Sequence, residues 1–175
     1  MEPMSLPPGD GLRTLAGLRI TVLTVSDRGA TGERTDDTGP VIASALAWHG
    51  ARVDAAVIPD EAEQITDAIA VAVADGADAV VTTGGTGVGP RDVTPEATAA
   101  LIDRDLPGIP ELLRQREAAR TPLVALSRAR AGLTPPPERA LLVNLPGSPA
   151  AVASALEVLP ELIAHSRATS HGGDH

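Results

Sequence analysis

The segment TTGGTGVGPRDVTPE, from Thr82 to Glu96, concentrates the residue types best suited to chemistry. Glycines at 84, 85, 87 and 89 allow a backbone to approach a ligand closely and to expose successive N–H donors, which is what an anion site requires. Thr83 and Thr86 add hydroxyl donors, and a helix opening at Thr94-Pro95 would aim its positive end at the same place. The segment has no Gly-Lys-Ser/Thr ending, so it is not a triphosphate P-loop, and its spacing is not that of a dinucleotide fingerprint. Glycine count alone is equally compatible with a flexible strand-to-helix turn.

Two carboxylates flank this loop in the order of elements. Asp92 lies inside it, and Asp60 follows Pro59 at the end of an earlier apolar run. Brought together at neighbouring strand ends they could hold Mg²⁺, a cation that takes one or two carboxylates and completes its shell with substrate phosphates. The plainer alternatives are a capping box of Asp60 with Glu63, and a turn or helix-dipole role for Asp92. Arg28, Arg91 and Arg128 are candidate phosphate clamps through their forked guanidinium groups, although any single Arg is more often a surface charge. Ser127 could donate to a ligand or satisfy a turn. No His lies near it in sequence, so a serine-hydrolase triad has no support. His171 and His175 read as part of a frayed tail before they read as metal ligands.

Composition narrows the chemistry further. There is no Cys, hence no thiol nucleophile or thiolate metal site, and the 14 basic residues are all Arg, hence no Schiff base. A net charge of -9 and a single aromatic residue, Trp48, exclude general nucleic-acid binding, which needs a basic face and stacking platforms. No apolar run approaches the ~20 residues of a membrane span, and the N-terminus lacks the basic and apolar regions of a secretory signal. A cytoplasmic protein is therefore expected.

The elements that must position these residues follow from pattern. β-branched apolar runs predict strands over residues 18–25, 52–58, 79–83 and 140–144. Helices are predicted from Pro40 to His49, from Asp60 to about Ala74, from Thr94, over 111–120, and from Ser148 to about Ala164. Residues 1–16 read as a mobile leader, 17–166 as one domain and 167–175 as a disordered tail; TPPPER at 134–139 reads as a spacer within the domain. Strands alternating with helices give an α/β fold around a mainly parallel sheet with helices on both faces. Ligands in such sheets bind outside the carboxyl ends of the strands, where the loops after Val25, Ile58, Thr83 and Asn144 should all gather.

In order along the chain, VSDRGATGERTDDTG, IPDE at 58–61, TTGGTGVGPRDVTPEAT, ALSR at 125–128 and NLPGSPAAV from Asn144 resemble the molybdopterin adenylyltransferase family, the MogA and MoaB type also found as the G domain of gephyrin. The likeness runs from about Leu18 to Ala164. It implies a three-layer α/β/α sandwich around a mixed sheet, a homotrimer, and Mg²⁺-dependent transfer of AMP from ATP to molybdopterin with release of pyrophosphate. The family's essential aspartates fall on Asp60 and Asp92. Matching positions for substrate and nucleotide are Ser26, Asp27, Arg28, Thr83, Gly84, Gly85, Thr86, Gly87, Arg91, Thr94, Ser127, Arg128, Asn144, Pro146, Gly147 and Ser148. Hand-over of the product to a molybdenum-insertion protein is implied as well. The stretch DDTG and the proline-rich TPPPERA depart from the family pattern. Besides the enzyme, three readings stay open: a MoaB-like pterin-binding protein with little or no transferase activity, a trimeric scaffold for a partner protein, and a nucleotide pyrophosphatase of related fold. The sequence leaves unassigned which loop holds nucleotide and which pterin.

Overall fold

A computed structural model describes residues 14–173. Its centre is a six-stranded sheet: β1 (Arg19–Val25), β2 (Arg52–Ile58), β3 (Ala79–Thr83), β4 (Arg104–Asp105), β5 (Ala131–Leu133) and β6 (Leu141–Leu145), in the spatial order β2-β1-β3-β6-β5-β4. The first four in that order run parallel, while β5 and β4 are antiparallel to their neighbours. The sheet is thus mixed and mainly parallel.

Period-2 alternation divides the strand residues between two cores. Ile20, Val22, Val81, Leu141, Val143 and Leu145 face one side. There they meet α2 (Gly39–Trp48), α5 (Gly108–Ala118), α6 (Pro149–Leu156) and α7 (Leu159–Ser170). Leu23, Val25, Val80 and Leu142 face the other side, against α3 (Ala62–Ala74) and α4 (Thr94–Ala99). Both sides of the central strands are covered, which is why β3 and β6 are buried at every position and read as continuous apolar runs. Three layers result, as the α/β/α sandwich requires.

Several boundaries differ from the sequence expectation. The capping box is absent: α3 begins at Ala62 after an extended Glu61 whose side chain makes no cap bond, and Asp60 is engaged elsewhere. Thr94 opens α4 without capping it, because its hydroxyl donates to the Gly84 carbonyl at 3.0 Å. The last helix is two, α6 and α7. Pro160 explains the break, having no N–H and clashing with the carbonyl four residues back, at Leu156. Helix α7 also continues to Ser170, so residues 167–170 are helical, not tail. At the other end, Leu15 is fully buried and donates its N–H to the His49 carbonyl, so the leader stops short of residue 16; residues 1–13, like His175, lie outside the described residues. A short helix α1 (Asp27–Ala30), a 3-10 turn at Pro122–Leu126 and the antiparallel strands β4 and β5 were not legible in the pattern. Among the described residues no helix is long and apolar enough to cross a membrane.

Candidate functional site

The loops after β1, β2, β3 and β6 do meet outside the carboxyl ends of four adjacent parallel strands. From β1 the chain steps outward to β2, then returns past β1 to β3, so the winding reverses between β1 and β3, the place where such sheets open a crevice. Gly84 leaves β3 at that crevice with φ +96, and a Cβ on it would lie 2.5 Å from the Val25 carbonyl oxygen. Gly85 follows at φ +66. Only glycine takes two successive left-handed conformations readily, least of all against a neighbouring strand.

The glycine loop is held by its carbonyls. Gly85 accepts from the Thr94 N–H (3.1 Å) and Thr86 from the Arg128 N–H (2.8 Å). Arg128 Nε reaches the Gly87 carbonyl at 2.7 Å and its Nη2 the Asp92 carbonyl at 2.6 Å, while Nη1 pairs with Glu96. That pairing holds the Glu96 carboxyl below the usual range. The N–H groups of Gly85, Thr86, Gly87 and Val88, by contrast, donate to nothing among the described residues. Consecutive free amides of this kind form an anion-binding nest.

Two half-buried carboxylates border the nest. Asp92 Oδ2 accepts the Gly89 N–H at 2.8 Å, and Asp60 Oδ2 accepts the Asp27 N–H at 2.8 Å. Asp60 Oδ1 lies 3.2 Å from where a Cβ on Gly85 would sit. Each aspartate therefore keeps one oxygen without a protein donor among the described residues. Asp60 has its carboxyl pushed up from the ordinary value, first by burial and then by the charges of Asp27 and Asp92, against the Asp27 N–H and Arg91, which pull it down. This donor set fits a hard divalent cation: oxygen-only, anionic and short of positive charge. Among the described residues no third carboxylate or His joins them, so substrate oxygens and water would complete the shell.

Other expected site residues serve the scaffold. Asn144 is wholly buried and fully used: its Nδ2 donates to the Thr82 and Thr98 hydroxyls, both at 2.9 Å, and its Oδ1 accepts the Arg130 N–H at 3.0 Å. It cannot reach a ligand. Thr83, also fully buried, donates to the Pro146 carbonyl at 2.9 Å. Ser26 and Ser148 cap α1 and α6 by accepting from Gly29 and Ala151. Ser127 is half-buried beside the nest, with its Oγ 3.4 Å from the Ala129 N–H. Gly147 is exposed, and a Cβ on it would touch the Gly84 Cα, so the PGSP loop lies directly on the glycine turn. Arg28 is exposed on α1, its guanidinium in no ion pair among the described residues. Arg91 is forked onto Asp27, with Nε to Oδ2 at 3.0 Å and Nη2 to Oδ1 at 2.9 Å, which lowers the Asp27 carboxyl and raises Arg91. His171 leans on Arg167 at the end of α7, far in sequence from the site.

A pocket of about 190 Å³ adjoins the crevice, lined by Thr24, Ser26, Arg34, Asp36, Thr38 and Gly84 among others. Asp36, which lines it, is not among the residues that motif spacing singles out. Asp36 Oδ2 accepts the Thr24 hydroxyl at 2.7 Å, and its Oδ1 takes the N–H groups of Thr38 (3.1 Å) and Gly39 (2.9 Å), starting α2. An Asp three residues before Gly39-Pro40 was the available signal, because such spacing is that of a carboxylate serving a helix start.

Comparison with known proteins agrees with this geometry. A family model described as a probable molybdopterin binding domain matches residues 21–165. The chain is 43% identical over 162 residues to the molybdenum cofactor biosynthesis bifunctional protein of Synechococcus elongatus, covering 92% of this chain but 50% of that protein's length. It is 40% identical over 149 residues to the molybdopterin adenylyltransferase of Pyrococcus furiosus, covering 84% of this chain and 88% of the relative. Among solved structures, the tungsten cofactor synthesizing protein MoaB from Pyrococcus furiosus superposes with a TM-score of 0.82 at 36% identity, over 88% of this chain and 97% of that one.

Proposed function

The chain belongs to the molybdopterin-binding domain family, and from that premise we propose that it is a molybdopterin adenylyltransferase acting in molybdenum cofactor biosynthesis. In this reading a terminal phosphate oxygen of molybdopterin attacks the α-phosphorus of ATP in line. A new P–O–P bond forms, the α–β bridging bond breaks, and its electron pair leaves with pyrophosphate. No redox step is needed. Such a reaction asks little covalent work of the protein; positioning and charge neutralisation carry the rate.

The observation that carries the proposal is the run of four amides, Gly85 to Val88, unpaired among the described residues and bordered by Asp60 and Asp92. The amides would hold phosphate oxygens. Asp60 and Asp92 would hold Mg²⁺, whose charge when bound offsets the triphosphate. The pocket beside Thr24 and Arg34, at the winding reversal between β1 and β3, is placed to take the second substrate. The same reading includes a homotrimer, a cytoplasmic setting and hand-over of adenylylated pterin to a molybdenum-insertion protein, the first checked by light scattering at micromolar concentration.

The test is incubation with ATP, Mg²⁺ and molybdopterin. Adenylyl-molybdopterin and pyrophosphate in equal amounts are the expected products. Pterin bound but unreacted would favour a MoaB-like binding protein, and nucleotide cleavage without pterin a pyrophosphatase. Asp92→Asn and Asp60→Asn keep shape but remove charge; each should lower AMP transfer by ~10²-fold or more while leaving pterin affinity within a few fold.

A further inference from the structure

Resting on the reading of Asp60 and Asp92 as the cation-holding pair, we propose that Arg91 and Asp27 form a latch that sets the aim of both carboxylates, so that Arg91 is a positioning residue and not a ligand of phosphate. Asp27 grips Asp60 at both ends. Its N–H donates to Asp60 Oδ2 at 2.8 Å, and its Oδ1 accepts the Asp60 N–H at 2.9 Å. This reciprocal pair spans 33 residues of sequence and ties the loop after β1 to the loop after β2. It also decides which Asp60 oxygen is left over: Oδ1, beside Gly85. The Arg91 fork then ties Asp27 to the loop after β3, one residue before Asp92. The ion pair and the reciprocal Asp27–Asp60 bonds together link the three loops, two of which carry the carboxylates.

The pair stands in solvent, with Arg91 59% and Asp27 42% exposed. Ion pairs so exposed add little to folding stability. Its value lies in geometry, since both oxygens of Asp27 are occupied by the fork, which takes the Nε–H and one Nη2 N–H of Arg91. A bidentate fork fixes angle as well as distance, which Lys cannot reproduce.

A double-mutant cycle reads this directly. Arg91→Gln, Asp27→Asn, the double variant and Arg91→Lys are compared by calorimetric binding of Mn²⁺ in the presence of a non-hydrolysable ATP analogue, and by steady-state AMP transfer. If Arg91 acts through Asp27, each single change weakens Mn²⁺ binding and kcat about tenfold, with KM for ATP moving less than about threefold. The double variant is then no worse than the worse single one, and Arg91→Lys behaves like Arg91→Gln. Melting temperatures stay close to wild type. Effects that multiply in the double variant, or an Arg91→Lys protein with normal kcat and raised KM, would place Arg91 on phosphate and overturn the latch. Large losses of melting temperature would make the pair architectural and overturn it too. A wild-type protein that binds no Mn²⁺ would overturn both the latch and the cation-site reading, whereas Mn²⁺ binding abolished by Asp60→Asn but multiplicative in the cycle would overturn the latch alone.

Discussion

Gly85→Ala isolates the backbone geometry of the nest with the smallest change available. Gly85 sits at φ +66, where any other residue bears a cost of about 1–2 kcal/mol. The added Cβ would also collide with the Thr94 hydroxyl oxygen, and that hydroxyl donates to the Gly84 carbonyl. Displacing it forfeits a hydrogen bond of about 0.5–1.5 kcal/mol. Together the loss is about 1.5–3.5 kcal/mol, less than the ~5–15 kcal/mol that holds a domain folded. The variant should therefore fold, with a melting temperature lower by roughly 3–14 °C for a chain of this size. Function should suffer as well. The same Cβ would lie 3.2 Å from Asp60 Oδ1, so either the carboxylate or the loop must shift by tenths of an ångström. Because misplacement by about 1 Å can cost ~10²-fold at a site working by positioning, a shift on this scale should lower AMP transfer by roughly tenfold. The assay is adenylyl-pterin formation beside a thermal melt of the same preparation. A folded Gly85→Ala protein with wild-type turnover would refute the reasoning, because neither the left-handed turn nor the approach to Asp60 would then matter.

Asn144→Ala should strand the Thr82 hydroxyl and the Arg130 N–H and take a donor from Thr98, whose hydroxyl keeps its bond to the Thr94 carbonyl, costing roughly 3 kcal/mol with KM values unchanged in whatever folds; a raised KM with intact stability would return Asn144 to the ligand. Because Asp60 is pushed up by burial and neighbouring charge, the acid limb of AMP transfer should lie above the ordinary aspartate value of 3.8, read from a pH–rate profile at low Mg²⁺. The same shift has a sign for stability: a raised carboxyl favours the folded state at low pH, and that contribution is lost as pH rises through the folded value. Asp60→Asn, which still accepts the Asp27 N–H, should thus melt at or above wild type near neutrality and lose any advantage near pH 3.5, a convergence that paired melts would detect.

Much of the fold was legible because the buried strands are β-branched and continuous, as in Ala79–Thr83, and because glycines and prolines mark their ends. What escaped were elements too short to carry a period. β4 has two residues and β5 three, and their pairing with β6 depends on tertiary position, not on local sequence. The split between α6 and α7 hides behind a helical spacing that runs through Pro160, and the proline is the one local signal of the break. At the site, residue types were legible and their employment was not. A lone Asn in an apolar strand beside a loop fits a ligand as well as a core, and only the meeting of Thr82, Thr98 and Arg130 around it decides. Likewise, Arg91 and Arg128 look alike as forked cations in polar loops, yet one is forked onto a single carboxylate and the other divides its donors between two carbonyls and Glu96.

The employment of those arginines bears on how a chain of net charge -9 could bind a polyanion at all. Arg128 spends its donors on the Gly87 and Asp92 carbonyls and on Glu96, which turns the loop's carbonyls away and leaves its amides free. Arg91 spends its fork on Asp27. The glycine loop's own positive potential therefore comes from main-chain dipoles, which are fixed and short-ranged, while Arg28 and the pocket-lining Arg34 are the cationic side chains left beside it. If the crevice takes ATP as proposed, the carboxylates of Asp60 and Asp92 would repel a bare triphosphate where the amides begin to attract it. A nucleotide already carrying a divalent cation would bring the missing charge with it and meet the oxygens left open by Asp60 and Asp92. The arrangement would then favour the metal-bound nucleotide over the free one.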